Sequence, residues 1–171
     1  MDQETFTALV RQGESTLYRV AKAILHHEHD VEDAVQEGLL KAYQNRNKLK
    51  NEAFFQTWLT RIIINECYSL LRKNKPVRPF AEEDLEIPAP AVANDADLYQ
   101  AIRMLPPKIR ITIVLYYVEG YSTVEIKTVL KIPQGTVKSR LAKGRTLLKS
   151  ILTDEREGDC HGSKTMEESL S

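Results

Sequence analysis

Residues Gly135–Arg145, GTVKSRLAKGR, set Lys138, Arg140, Lys143 and Arg145 within eight residues and include no acid. Cations at that density attract a polyanion, and the interleaved hydroxyls of Thr136 and Ser139 add short groups that reach base edges. On a helix, Val137, Leu141, Gly144, Leu148 and Ile151 fall on one face and should pack inward. Thr136, Ser139, Arg140 and Lys143 share a second face, while Lys138, Arg145 and Lys149 flank the buried stripe. A major-groove helix needs this division: donors for bases near its first turns and cations for phosphates. Ser122–Leu130 reads as a capped helix joined to it by a tight turn, which makes a helix-turn-helix.

A second stripe, Trp58, Arg61, Asn65, Tyr68 and Arg72, recurs at steps of three and four, with Lys73 and Lys75 extending its basic end. Aromatic faces stack on exposed bases while cations hold the backbone, so the stripe suits strand-separated DNA. Trp58 would serve a core equally well. The preceding loop, NRNKLKNEAFF, offers Asn45, Arg46, Asn47, Lys48, Lys50 and Asn51 to an unstacked base. A third surface turns Asp33, Gln36, Glu37, Leu40 and Gln44 outward from a helix whose inward face is Val31, Ala34, Val35, Leu39 and Ala42. Carboxylates and amides around an exposed Leu make a protein-binding patch. The segment HHEH, His26 to His29, lacks a further Cys or distant His to complete a metal site and reads as a polar helix end. No nucleophile–base arrangement or phosphate loop occurs, so neither catalysis nor a cofactor is expected.

The elements that must hold these surfaces are helical. Phe6, Leu9, Val10, Gly13, Leu17, Val20, Ala21, Ile24 and Leu25 follow helical spacing, and no period-two alternation marks a strand. Asp30 should cap a second helix reaching Asn45, and a third should span Phe54 to Lys73. A short helix over Asp97–Met104 precedes another that opens at Pro106-Pro107 and stops at Gly120. Ser122-Thr123-Val124-Glu125 forms a capping box, and the last helix should run from Gln134 to Leu152. The 171 residues carry 24 basic and 24 acidic side chains, yet the charge is unevenly placed. Residues 1–75 have net +1, 76–97 net −5, 98–152 net +8 and 153–171 net −4. Residues 76–96 hold four of the seven prolines and read as a flexible acidic linker. The polar, acidic stretch 153–171 is expected to be a disordered tail. The fold class is therefore all-α: an N-terminal helical bundle and a C-terminal helix-turn-helix domain, joined by that linker. No apolar run is long enough to cross a membrane, the first residues carry no export signal, and the two cysteines, Cys67 and Cys160, are far apart. A cytoplasmic location is expected.

In this order the three surfaces resemble the extracytoplasmic-function (ECF) sigma factors of the sigma-70 family. DVEDAVQEGLLKAY is similar to the family's polymerase-clamp-binding helix, and FFQTWLTRIIINECYSLLRK to its promoter-melting, −10-reading helix. LPPKIRITIVLYYVEGYSTVEIKTVLKIPQGTVKSRLAKGRTLL is similar to its −35-reading domain. The resemblance covers about residues 5–152. It implies a sigma region 2 domain over 1–75, a linker over 76–96 and a region 4 domain over 97–152. Asp33, Gln36, Glu37 and Leu40 would dock on core RNA polymerase. Lys48, Lys50, Asn51 and Phe54 would capture a flipped −10 base. Trp58, Arg61, Asn65, Tyr68, Arg72 and Lys73 would line the single-stranded −10 DNA. Ser122, Thr136, Lys138, Ser139, Arg140, Lys143 and Arg145 would meet duplex −35 DNA. The resemblance also implies an anti-sigma partner, in this family often membrane-bound.

Two departures are visible. Lys131 stands where the family has a turn glycine, so a residue with a side chain must adopt the left-handed conformation. Lys127 stands where a small residue lets the two helices approach, so the −35 domain should be less tightly packed unless the ammonium reaches outward. Gly38 and Gly144 interrupt helices at about 1 kcal/mol each relative to Ala, which a close helix contact at Gly144 would offset. Two other readings are open: a stand-alone helix-turn-helix regulator with an N-terminal sensor or dimerisation module, and a metal-dependent enzyme built on HHEH.

Overall fold

Asp2 opens the first helix: its carboxylate accepts from the Thr5 amide at 2.8 Å, and Glu4 adds negative charge to the first turn. The computed structural model describes residues 1–73 and 96–161, with side chains over 1–73 and 98–153. Helices α1 (Gln3–Lys22), α2 (Glu28–Asn45) and α3 (Phe55–Lys73) pack pairwise against one another. Their shared core is Leu17, Val20, Val31, Ala34, Phe55, Leu59, Ile63 and Cys67. Phe6 sets its ring edge-on to Phe55 and Tyr43, at centroid distances of 5.5 and 5.3 Å. Such pairs add to the stabilisation from area burial alone. Gly38 brings α2 onto α3: a Cβ there would lie 2.4 Å from Cδ1 of Ile63.

The C-terminal module comprises α4 (Ala96–Met104), α5 (Pro107–Ile113), α6 (Thr123–Leu130) and α7 (Gln134–His161). Pro107 occupies the first position of α5, where its missing N–H is not needed. The helix then widens into a π-helical segment, Val114–Val118, in which the Glu119 amide reaches back to the Val114 carbonyl at 3.0 Å. Gly120, at φ 72°, ends it in the left-handed region. Ser122 and Glu125 form the expected capping box at the start of α6. Lys131 closes α6 at φ 52° and ψ 47°, the left-handed cap required of it, and Lys127 is exposed. Leu105, Ile111, Ile113, Leu115, Ile126 and Val137 form the core beneath α7. Gly144 permits that approach, since a Cβ there would lie 2.6 Å from Cδ1 of Ile113.

The described residues contain helices and turns and no strand, as the spacing predicts. Three boundaries differ from expectation. The first helix ends at Lys22, and Ile24 and Leu25 are buried just beyond it. The second helix starts at Glu28 after His27, with Asp30 inside its first turn, because a carboxylate there already complements the helix dipole without capping. The last helix continues past Leu152 to His161, since nothing in Thr153–His161 breaks it except the tolerated Gly158. Most of the acidic linker, and the tail beyond His161, lie outside the described residues. None of the described helices is long and apolar enough to cross a membrane.

Candidate nucleic-acid interface

Helix α7 carries the basic segment as its spacing requires. Val137 and Leu141 are buried, Lys138, Ser139, Lys143 and Arg145 are exposed, and Thr136 and Arg140 are half-buried. Gln134 anchors its start by donating to the Thr123 hydroxyl at 2.9 Å, which fixes α7 against α6. The Ser139 hydroxyl donates to the Thr136 carbonyl at 3.0 Å, leaving its oxygen's acceptor side outward. Arg145 donates to the Tyr117 hydroxyl at 3.1 Å, so its guanidinium is oriented by the π-helical segment. Ser122 is engaged in the capping box: its hydroxyl donates to Glu125 at 2.7 Å and accepts from the Glu125 amide at 3.2 Å.

The stripe on α3 splits. Asn65, Arg72 and Lys73 are exposed, whereas Trp58, Arg61 and Tyr68 are half-buried. Trp58 leans on Phe55 with centroids 5.9 Å apart, so it belongs partly to the core. Burial pushes the Tyr68 phenol above its ordinary value, opposed by the positive charge of Arg140. A residue of the α7 reading face thus lies within electrostatic reach of the α3 stripe.

The loop between α2 and α3 consists of two short 3-10 turns, Arg46–Lys48 and Glu52–Phe54. Asn51 caps the second, accepting from the Ala53 amide at 2.9 Å. This leaves Phe54 protruding, 61 % exposed. Lys48 and Lys50 are exposed beside it. Asn45 and Arg46 are turned inward: Asn45 donates to the Lys41 carbonyl, and Arg46 donates to the Tyr43 carbonyl and stacks 4.1 Å over the Tyr43 ring.

On α2, Asp33, Gln36 and Glu37 are exposed around Leu40, itself 52 % exposed. Glu37 is 3.3 Å from Lys41, which also grips Glu66 of α3 at 2.6 Å. Those bonds raise the Lys41 ammonium above its ordinary value, the Glu66 bond foremost. Among the described residues, no three His, Cys, Asp or Glu side chains gather to hold a metal, HHEH included.

Four side chains that no spacing rule singled out join the two modules. Arg19 of α1 meets Glu119 through a bidentate pair, Nε–Oε1 at 2.5 Å and Nη2–Oε2 at 2.9 Å. Thr60 of α3 shares a buried 2.8 Å hydrogen bond with the Tyr121 hydroxyl. Helix α3 packs on α6 at the same seam. Partners 100 and 61 residues apart leave no periodic trace in a sequence.

The chain is similar to known proteins in both modules. Residues 9–77 match the family model for sigma-70 region 2, and residues 95–148 match that for sigma-70 region 4. The ECF RNA polymerase sigma factor SigW of Bacillus subtilis is 33 % identical, covering 90 % of this chain and 91 % of that one. SigM of Mycobacterium tuberculosis, another ECF RNA polymerase sigma factor, is 30 % identical over 88 % of this chain and 79 % of its own. Among solved structures, the sigma factor RpoE in complex with the anti-sigma factor NepR, from Bartonella quintana, has a TM-score of 0.72 at 23 % identity. That match covers 88 % of this chain and 98 % of the other, and it speaks for the shared fold.

Proposed function

The chain belongs to the extracytoplasmic-function group of the sigma-70 family, and on that premise we propose that it directs core RNA polymerase to specific promoters and assists DNA melting there. Residues 1–75 act as the polymerase-binding and −10-reading module, residues 97–152 as the −35-reading module, and residues 76–96 as the connector. The observation that carries the reading is the coexistence of two different DNA surfaces in one chain. One is a groove-sized basic helix in a capped helix-turn-helix; the other is an aromatic and basic stripe beside a protruding Phe54.

Arg140, Lys143, Lys138 and Arg145 hold −35 phosphates and base edges, with Thr136 and Ser139 between them. Phe54, with Lys48 and Lys50, meets a base that has left the stack, while Asn65, Arg72 and Lys73 track the separated strand. Unstacking a base costs a few kcal/mol, offset by those contacts and by polymerase. The chain performs no catalysis; core polymerase supplies the chemistry, without a cofactor held by this protein. It works in the cytoplasm and is held in check by an anti-sigma factor. That partnership is supported by a related fold found bound to an anti-sigma factor.

Asp33, Gln36, Glu37 and Leu40 form the polymerase-docking patch. Reversing Asp33 and Glu37 to Lys should abolish binding to purified core polymerase, measured by co-migration on size exclusion, while circular dichroism stays helical. Unchanged affinity would refute that docking face.

A further inference from the structure

From Ile126 to Thr153 the chain carries seven lysines and arginines and no acid. Arg145 belongs to that run, and among the described residues it pairs with no carboxylate. On α7 its neighbours three and four positions away are Leu141, Ala142, Leu148 and Lys149, so its own helix supplies no counter-charge. A long cation on an open helix face samples many rotamers, and fixing it on a phosphate costs that freedom. Arg145 is already oriented, and by a neutral group: its Nη1 donates to the Tyr117 hydroxyl at 3.1 Å.

Tyr117 reaches α7 because the backbone widens there. The π-helical segment Val114–Val118 follows on from the buried run Ile111 to Leu115 and sets Tyr116 and Tyr117 side by side at the surface. Single-turn widenings of this kind recur at functional sites. The two rings meet edge to face, with centroids 4.9 Å apart and planes at 80°, so Tyr116 braces Tyr117. Tyr117 is nevertheless 52 % exposed. The carboxylate that follows this segment, Glu119, is engaged by Arg19 of α1. Arg145 is therefore offered a hydroxyl oxygen instead of a carboxylate. A carboxylate would bind the guanidinium more strongly but cancel its charge; a hydroxyl aims it and leaves the charge whole. A phenol that accepts from Arg145 keeps its own proton, which no acceptor takes among the described residues. Guanidinium and hydroxyl thus present donors side by side, and the exposed Lys138 and Lys149 lie on the same flank of α7.

We propose that Tyr117 is a positioning residue for the −35 contact: its hydroxyl aims the uncancelled charge of Arg145 at the DNA backbone and donates its own proton to the same phosphate. The proposal rests on the promoter-reading function above and adds to it a contact from outside the helix-turn-helix. Phosphate contacts fix register and carry no sequence information, so the contribution of Tyr117 is the same on every duplex.

The test uses the full chain assembled with core polymerase and two duplex probes. One is a promoter whose −35 element the wild type selects from a library; the other is that promoter with the element scrambled. Affinity is read by fluorescence anisotropy between about 50 and about 200 mM salt. Tyr117→Phe, which keeps the ring, should weaken binding about two- to tenfold on both probes. Added to Arg145→Ala, it should cost less than it does alone. Tyr117→Glu should pair with Arg145 and cancel it, making the slope of log affinity against log salt shallower by about 0.9, as Arg145→Ala does. A residue that merely packs would lower the melting temperature and leave that slope unchanged. Wild-type affinity and slope in both Tyr117 variants would overturn the proposal. So would a loss confined to the selected −35 probe, the mark of a base contact. Weaker assembly with core polymerase at unchanged DNA affinity, the mark of a protein contact, would overturn it too. A wild type that selects no −35 element from the library would overturn the promoter-reading function itself, and this contact with it.

Discussion

His26, in the segment between α1 and α2, shows how one residue senses the neighbouring module. Desolvation, then the charges of Arg110 and Arg103 across the seam and of His27 beside it, lower its imidazole below the ordinary 6.5. The folded chain therefore resists a proton that the unfolded chain accepts as pH falls through about 6.5. His26 is neutral in both states above that value and contributes no pH dependence there. Below it, stability should decline with falling pH, and His26→Gln should flatten the slope between pH 6.5 and 5 in urea titrations. An identical slope in the variant would show that folding does not lower the proton affinity of this ring. Arg110 itself is buried and lowered by desolvation, with Arg103 adding to the effect; it donates to the Leu105 carbonyl at 3.1 and 3.3 Å. Cys67 is the opposite case, a thiol pushed up to about 12 by burial and therefore inert. Neither environment was legible in the sequence, because each is made by residues from elements distant along the chain.

Individual helices were far more legible. The capping box at Ser122, the proline start of α5 and the inward stripe of α7 follow from local chemistry, whereas the left-handed Lys131 followed from the family resemblance. The π-helical widening at Val114–Val118 does not, since an apolar, β-branched and aromatic run fits an α-helix equally well. The end of α7 was missed because polar composition suggests disorder, while Thr153–His161 contains no residue that must stop a helix. Gly144 tests how tightly α7 sits on α5. Its missing Cβ is replaced by Cδ1 of Ile113, and Cγ2 of Ile109 lies 3.0 Å from where a Cβ would be. Gly144→Ala should lower stability by about 1–3 kcal/mol in thermal unfolding. Gly135→Ala, with open space around it, should leave stability unchanged or raise it by up to about 1 kcal/mol. Equal effects at the two glycines would contradict the close helix contact.

For the molecule as a whole, the charge map was the most informative sequence feature. A neutral total concealed a C-terminal block of net +8 over residues 98–152, which directed attention to a polyanion. What it concealed in turn was that the two modules are docked. That arrangement depends on a bidentate ion pair and a shared hydroxyl bond between modules, neither of which has a motif. Trp58, Arg61 and Tyr68 are only half-exposed although their spacing forms a clean stripe, and Trp58 leans on Phe55 in the core. The central claim is that this chain chooses where a larger machine begins transcription. Its most direct measurement is transcription by purified bacterial core polymerase on a promoter library, with and without the protein. The account predicts transcripts from a subset of templates that share sequence at both the −35 and −10 elements. The same starts with and without the protein would contradict it.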